Sequence, residues 1–305
     1  MKLRRQKPRV FTLSLRSQPE RGGPVRATVL DKDGLEKDLD WRHLLILVHG
    51  FNNAESEAEG KYDRYVDILR PGFENSRVAP DAVAKFHWPG NEAIGPFPIF
   101  DFAGYHVDVE RALQSVGPLA FFLSRLIATR PAGRQISFVG HSLGCRLIAE
   151  AMCWLGAAGP AGPPLAVVSL MAAAVPVALA EAGEPLARAP AAATKVLKAH
   201  SRDDWVLWLA FPAGQLLALA AGIEKAAYVE AIGRNGDPAG FGESLRCAGN
   251  GHGDYWTDEY AAAALMVTID ATLRSLPPPA AIPPHDLPPV GEIATRDLKS
   301  RELPQ

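Results

Sequence analysis

Gly140-His141-Ser142-Leu143-Gly144 is a G-x-S-x-G pentapeptide. It follows the apolar run Ile136-Ser137-Phe138-Val139 and opens a helical stretch from Leu143 to about Leu155. The setting carries more weight than the pattern, because small residues recur by chance. Strand, sharp turn and helix are what a nucleophile elbow requires. Glycines remove side chains that would clash in the turn, and a strained serine can present its hydroxyl. That hydroxyl is a weak nucleophile until a base takes its proton. Downstream of Ser142, histidine occurs at His200, His252 and His285. His285 lies among prolines with no rigid element to aim it. His200 ends a strand just before two aspartates, where an acid rather than a base is expected. His252 sits in the loop Gly249-Asn250-Gly251-His252-Gly253 ahead of the final helix and is the expected base.

An acid must orient the imidazole and stabilise its charged form. Ser201-Arg202-Asp203-Asp204-Trp205-Val206 puts two carboxylates at the end of a late strand. Asp204 is favoured, because its Asp-x-Val step leads into the next helix. Asp203 is the alternative, and Asp254, two residues from His252, is less suited to reach back with the right geometry. Acyl transfer also needs backbone N–H donors already aimed at the developing oxyanion. One is expected from Leu143, after the nucleophile. The other is expected from Phe51, in the loop His49-Gly50-Phe51-Asn52-Asn53 that leaves the run Leu44-Leu45-Ile46-Leu47-Val48. His49, His87, Trp88 and His141 stand beside these positions and could line a pocket or serve as packing. Cys145, one helical turn into the elbow helix, reads as a small buried hydrophobe.

These residues need a scaffold that brings the ends of several strands together. The runs at 44–48, 83–87, 136–139, 165–172 and 195–199 read as strands, the first buried on both faces. Helices are expected at about 54–69, ended by Pro71-Gly72, at 105–128, at 143–155 and at 258–275, with an Ala-rich helical stretch between 172 and 195. Segments 10–16 and 25–30 read as an antiparallel hairpin at the sheet edge, and 245–248 as a short late strand. The alternation implies an α/β fold, a mostly parallel sheet covered by helices on both faces. Residues 1–275 form the expected domain, and the proline-dense 276–305 an extended tail. Trp205–Ile223 carries no charge. Pro212, Gly214 and Gln215 near its middle argue against a membrane span and for a pair of helices, either a cap beside the site or core.

HGF, GHSLG, SRDD and GHGDYW, in this order, resemble the α/β-hydrolase superfamily across about 40–275. More narrowly, LLILVHGFNNAESEA, KFHWPG, a helix with Tyr105 and Asp108, and GHSLGCRLIAEAM resemble a poorly characterised bacterial lipase- or esterase-like family. Leu143 replaces the methionine usual at the elbow, a volume-conserving swap that leaves its N–H in place. The family's acid falls in a Ser-Arg-x-Asp pattern that matches Asp204. The resemblance implies hydrolysis of a carboxylic ester.

The 305 residues are 48% hydrophobic and 22% charged with a formal net charge of −2, so no overall field recruits nucleic acid or an anionic surface. The basic start (Lys2, Arg4, Arg5, Lys7, Arg9) reads as a solvated terminus. Cys145, Cys153 and Cys247 have no C-x-x-C spacing and suggest reduced thiols. With no signal-peptide core after the basic start, a cytoplasmic location is expected. No metal or cofactor is expected, since neither metal-ligand spacing nor a phosphate loop occurs. The expected partner is a small-molecule ester with an apolar acyl group. A thioesterase, amidase or acyltransferase would use the same residues, and a catalytically silent binding scaffold is the reading from another class.

Overall fold

In the computed structural model, eight strands form one sheet in the order β2-β1-β4-β3-β5-β6-β7-β8. The described residues are 7–19, 23–38, 41–75, 79–91, 104–129, 133–156 and 163–276. Most of the expected tail, with His285, lies outside them, as do Lys2, Arg4 and Arg5. Along the chain come β1 (Arg9–Arg16), β2 (Val25–Asp31), β3 (His43–Val48), α1 (Glu55–Asn75) and β4 (Ala82–His87). Next are α2 (Tyr105–Thr129), β5 (Gln135–His141), α3 (Leu143–Leu155), β6 (Leu165–Met171) and α4 (Val177–Ala180). The chain continues with β7 (Ala193–His200), α5 (Phe211–Ala220), α6 (Ile232–Asn235), β8 (Glu243–Arg246) and α7 (Glu259–Ser275).

β2 alone runs antiparallel, paired with β1 at the sheet edge, while the other strands are parallel to their neighbours. Helices cover the sheet in two layers, α2 with α3 and α5 in one, and α1 with α7 in the other. All residues of β3, β4 and β6 are buried, as strands sandwiched between helix layers must be. Parallel pairing sends the C-terminal ends of β3, β5 and β7 to the same edge, where ligands of open α/β sheets bind.

The expected stop at Pro71 does not occur: α1 runs on to Asn75 with Pro71 inside it. Its last turn is held by packing. Phe73 is buried, and a Cβ on Gly72 would lie 2.7 Å from Cγ of Met266 on α7, so the two helices are in close contact there. The Ala-rich stretch between β6 and β7 is mostly turns, with α4 and a 3₁₀ turn at Ala189–Ala192, because Pro176, Gly183, Pro185 and Pro190 interrupt it. The expected two helices after Asp204 are one continuous helical run. A π turn at Val206–Ala210 passes directly into α5, with Pro212 in its first turn, where a missing N–H and a bulky ring are tolerated. That run is amphipathic by burial rather than by composition. Leu207, Ala210, Phe211, Gly214, Gln215 and Ala218 face inward, and Trp205, Trp208, Leu209, Leu216 and Leu217 are exposed. Among the described residues, α2 alone is long and apolar enough to cross a membrane by length and composition.

Candidate active site

Ser142 sits between β5 and α3 with φ 52° and ψ −123°, a region that non-glycine residues rarely occupy and that costs on the order of 1–3 kcal/mol. The turn is over-determined. The Ser142 N–H donates to the Met171 carbonyl at 3.0 Å, and its own carbonyl accepts from Ala174 N at 3.1 Å and Cys145 N at 3.0 Å. Gly144 permits the approach of α3 to β3: a Cβ there would stand 2.3 Å from the His49 carbonyl oxygen. Gly50 does the same from the other side, since a Cβ would lie 2.7 Å from Cβ of Ser142. The loop after β3 is thus pressed against the elbow.

His252 Nε2 lies 2.8 Å from Ser142 Oγ, and His252 Nδ1 lies 2.8 Å from Asp204 Oδ2. Asp204 is fully buried, and its other oxygen accepts the Leu207 N–H at 3.0 Å. A neutral His252 with its proton on Nδ1 donates to Asp204 and leaves Nε2 free to accept from the serine. Asp203 does not reach the imidazole. Its carboxylate accepts the Gly249 N–H at 2.8 Å and so holds the base of the histidine loop. Asp254 likewise accepts from Gly251 N at 2.7 Å. Asp258, the N-cap of α7, accepts from Asn250 Nδ2 at 2.6 Å.

His141 also supports this loop: its Nε2–H donates to the His252 carbonyl at 2.7 Å, and the two rings are 5.0 Å apart. Burial, then the neighbouring His252, holds its pKa well below the ordinary histidine value. His49, His87 and Trp88 are fully buried beneath the loop after β3. His49 stacks on Trp88 at 5.4 Å, and Trp88 Nε1 donates to the His49 carbonyl at 2.8 Å. These three side chains form a floor under the loop. The pKa of His49 is lowered first by burial and then by Arg16 and His87. Glu59 receives His87 Nε2–H at 3.0 Å and a bond from Lys85. Burial opposes its ionisation, but those hydrogen bonds outweigh burial and bring the carboxyl down to about 2.

The N–H groups of Phe51 and Leu143 meet no hydrogen-bond acceptor among the described residues. Leu143 opens α3, so its N–H has no intrahelical partner and lies at the positive end of the helix dipole. The Phe51 ring packs edge-on against Tyr105 of α2 at 5.5 Å. Cys145 is buried and its thiol pushed up by burial, as a small core side chain behind the elbow. His200 pairs with Ser244 Oγ at 2.6 Å on β8. Among the described residues, no three histidine, cysteine or carboxylate side chains are gathered so as to hold a metal ion.

The sheet order and the elbow at the end of its fifth strand define the class, an α/β hydrolase. More particularly, the chain belongs to the family described as "Alpha/beta hydrolase of unknown function (DUF900)", whose model matches residues 28–210. That span takes in Phe51, Ser142, Leu143 and Asp204 and ends before His252. No curated protein matches the chain. Similar solved structures include Arabidopsis thaliana SOBER1, 17% identical, with 76% of this chain and 99% of that one covered and a TM-score of 0.41. Zea mays acyl-protein thioesterase 2 is 17% identical, covering 76% and 94%, with a TM-score of 0.37. Thermogutta terrifontis esterase 2 phosphorylated by paraoxon is 13% identical, covering 80% and 86%, with a TM-score of 0.38.

Sequence reasoning assigned no part to Asp258, Asn53, Lys61 or Arg16. Asp258 was open to detection as an N-cap before an amphipathic helix. Arg16 on β1 donates to the Asn53 carbonyl and to Asn91 Oδ1 at 2.7 Å. No local pattern connects a strand arginine to a loop so distant along the chain.

Proposed function

We propose that this protein is a serine hydrolase that cleaves a carboxylic ester through an acyl-enzyme. The observation that carries the reading is the continuous line Asp204–His252–Ser142, with 2.8 Å at each junction. Ser142 Oγ attacks the ester carbonyl while its proton passes to His252 Nε2. The negative charge that develops on the carbonyl oxygen is met by the N–H groups of Phe51 and Leu143. Collapse of the tetrahedral intermediate expels the alcohol, which takes the proton from His252. Water then gives a proton to the same imidazole and attacks the acyl-serine, and His252 returns that proton to Ser142 Oγ as the acyl–oxygen bond breaks and the carboxylic acid leaves. Asp204 keeps the imidazole in the required tautomer and stabilises its cation without itself becoming protonated.

The substrate in this reading carries an apolar acyl group. The helical run 206–220 begins on the acid itself, through the bond from Leu207 N to Asp204, and its outer face is apolar without interruption. Incubation with a fluorophosphonate probe tests the reading, with covalent labelling at Ser142 expected and its absence in folded protein contradicting it.

A further inference from the structure

We infer that Asn53, held in orientation by Lys61, is the positioning residue that aims the Phe51 N–H at the reacting oxygen; this rests on the proposed serine hydrolase reading. The Asn53 side chain is buried and its amide nitrogen donates to two carbonyls of its own loop, Gly50 O at 3.2 Å and Phe51 O at 2.6 Å. Its amide oxygen accepts from the ammonium of Lys61 on α1. An ammonium can only donate, so Lys61 fixes which end of the amide is oxygen and which is the donor to the loop.

The consequence follows from peptide planarity. The Gly50–Phe51 bond is not among the cis bonds of the described chain, so its C=O and N–H point in opposite directions. Asn53 Nδ2 draws the Gly50 oxygen inward, joined there by His49 Nδ1 at 2.8 Å. The Phe51 N–H is therefore turned outward, with no acceptor among the described residues. The rest of the loop is pinned in the same sense: Trp88 holds the His49 carbonyl, Arg16 the Asn53 carbonyl, and Asn53 N donates to Gly90 O at 3.1 Å. Gly50 meanwhile packs on Ser142. An aspartate at 53 would keep the partner of Lys61 but could not donate to either carbonyl, and would face both oxygens with another.

The test compares wild type, Asn53→Asp and Lys61→Met with a p-nitrophenyl ester, together with an alkyl boronic acid that forms a tetrahedral adduct on serine. Loss of one aimed oxyanion donor lowers kcat about 10²-fold in other hydrolases. Asn53→Asp is expected to approach that loss with KM within about twofold, and to weaken boronate binding in proportion to kcat/KM while a carboxylic acid product binds as before. Lys61→Met, on the half-buried end of the pair, is expected to lower kcat about tenfold and supplies the test if Asn53→Asp does not fold. A folded variant with kcat and boronate affinity unchanged, or with only its melting temperature lowered, overturns the inference. Activity persisting in Ser142→Ala overturns instead the reading beneath it.

Discussion

At the scale of single residues, the adjacent aspartates separate two jobs that look alike in the sequence. Asp204 is buried and meets the imidazole, whereas Asp203 is exposed and holds a loop N–H. Asp204→Asn should lower kcat by roughly 10⁴, because an amide favours the wrong imidazole tautomer. Asp203→Asn should cost tenfold or less, and steady-state kinetics on the two variants would expose a reversed ranking. Both carboxylates lie in the motif; the Asp-x-Val step favours Asp204, and the helical turn it leads into does bond that carboxylate through Leu207 N, while the place of Asp203 on the Gly249 N–H depends on a loop distant along the chain. The glycines are legible for a different reason. G-x-S-x-G and His-Gly mark places where backbones must nearly touch, and Gly144 does lie where a Cβ would strike the His49 carbonyl. Gly144→Ala should destabilise the fold by ~1–3 kcal/mol through overpacking, measured by urea denaturation.

At the scale of elements, strands 3 to 7 were readable because short runs rich in apolar and β-branched residues, continuous only at Leu44–Val48, are bounded by turn residues and alternate with helical stretches. Helix ends were less so. Pro71 reads as a stop, yet contacts between α1 and α7 hold one more turn beyond it. In 205–223 the composition is apolar on every side, so periodicity could not tell which face would be covered. The structure covers one face with α2, where the Tyr105 ring fills the space left by Gly214 and its hydroxyl meets Gln215 at 3.3 Å. Trp208, 61% exposed, and Leu209, 63% exposed, are left on the other. If this face receives the acyl chain, kcat/KM should rise about threefold per carbon from acetate toward octanoate, since each buried CH₂ contributes up to ~0.8 kcal/mol. Trp208→Ala should flatten that rise. A steady fall from acetate onward, with Trp208→Ala lowering stability alone, would assign the helix to structure.

At the scale of the whole molecule, the site edge carries its own pH liability. His49 and His141 are held neutral, each with its pKa lowered chiefly by burial. In the unfolded chain they take up protons near the ordinary histidine value, about 6.5. Below that pH the unfolded state binds protons that the folded state does not, so stability falls as pH falls. The slope should reach about 1.4 kcal/mol per pH unit for each histidine, until the folded pKa is met. Urea midpoints at pH 7.5 and 5.5 should therefore drop toward acid, and His49→Gln should shallow the slope by one proton. Glu59 acts lower: its carboxyl is depressed to about 2, so the stability it contributes is fully present above the ordinary glutamate value and is lost progressively as pH falls from there to about 2.

The candidate site is legible in the sequence as far as it follows from the order of the strands. Ser142, Asp204 and His252 are far apart along the chain, but each follows a strand of one parallel sheet, and such strands end at a common edge. The support beneath them, Arg16 to Asn53 and Asn53 to Lys61, obeys no such rule and is visible only in three dimensions. The proposed function stands on an acyl-enzyme formed at Ser142. Intact-protein mass spectrometry after fluorophosphonate treatment, with peptide mapping, locates that serine alongside p-nitrophenyl ester turnover. One adduct per chain is expected on Ser142 and none in Ser142→Ala, with a kcat on the order of 10⁶ lower in that variant. A folded Ser142→Ala protein that keeps more than a few per cent of the turnover, or carries the adduct elsewhere, would contradict it.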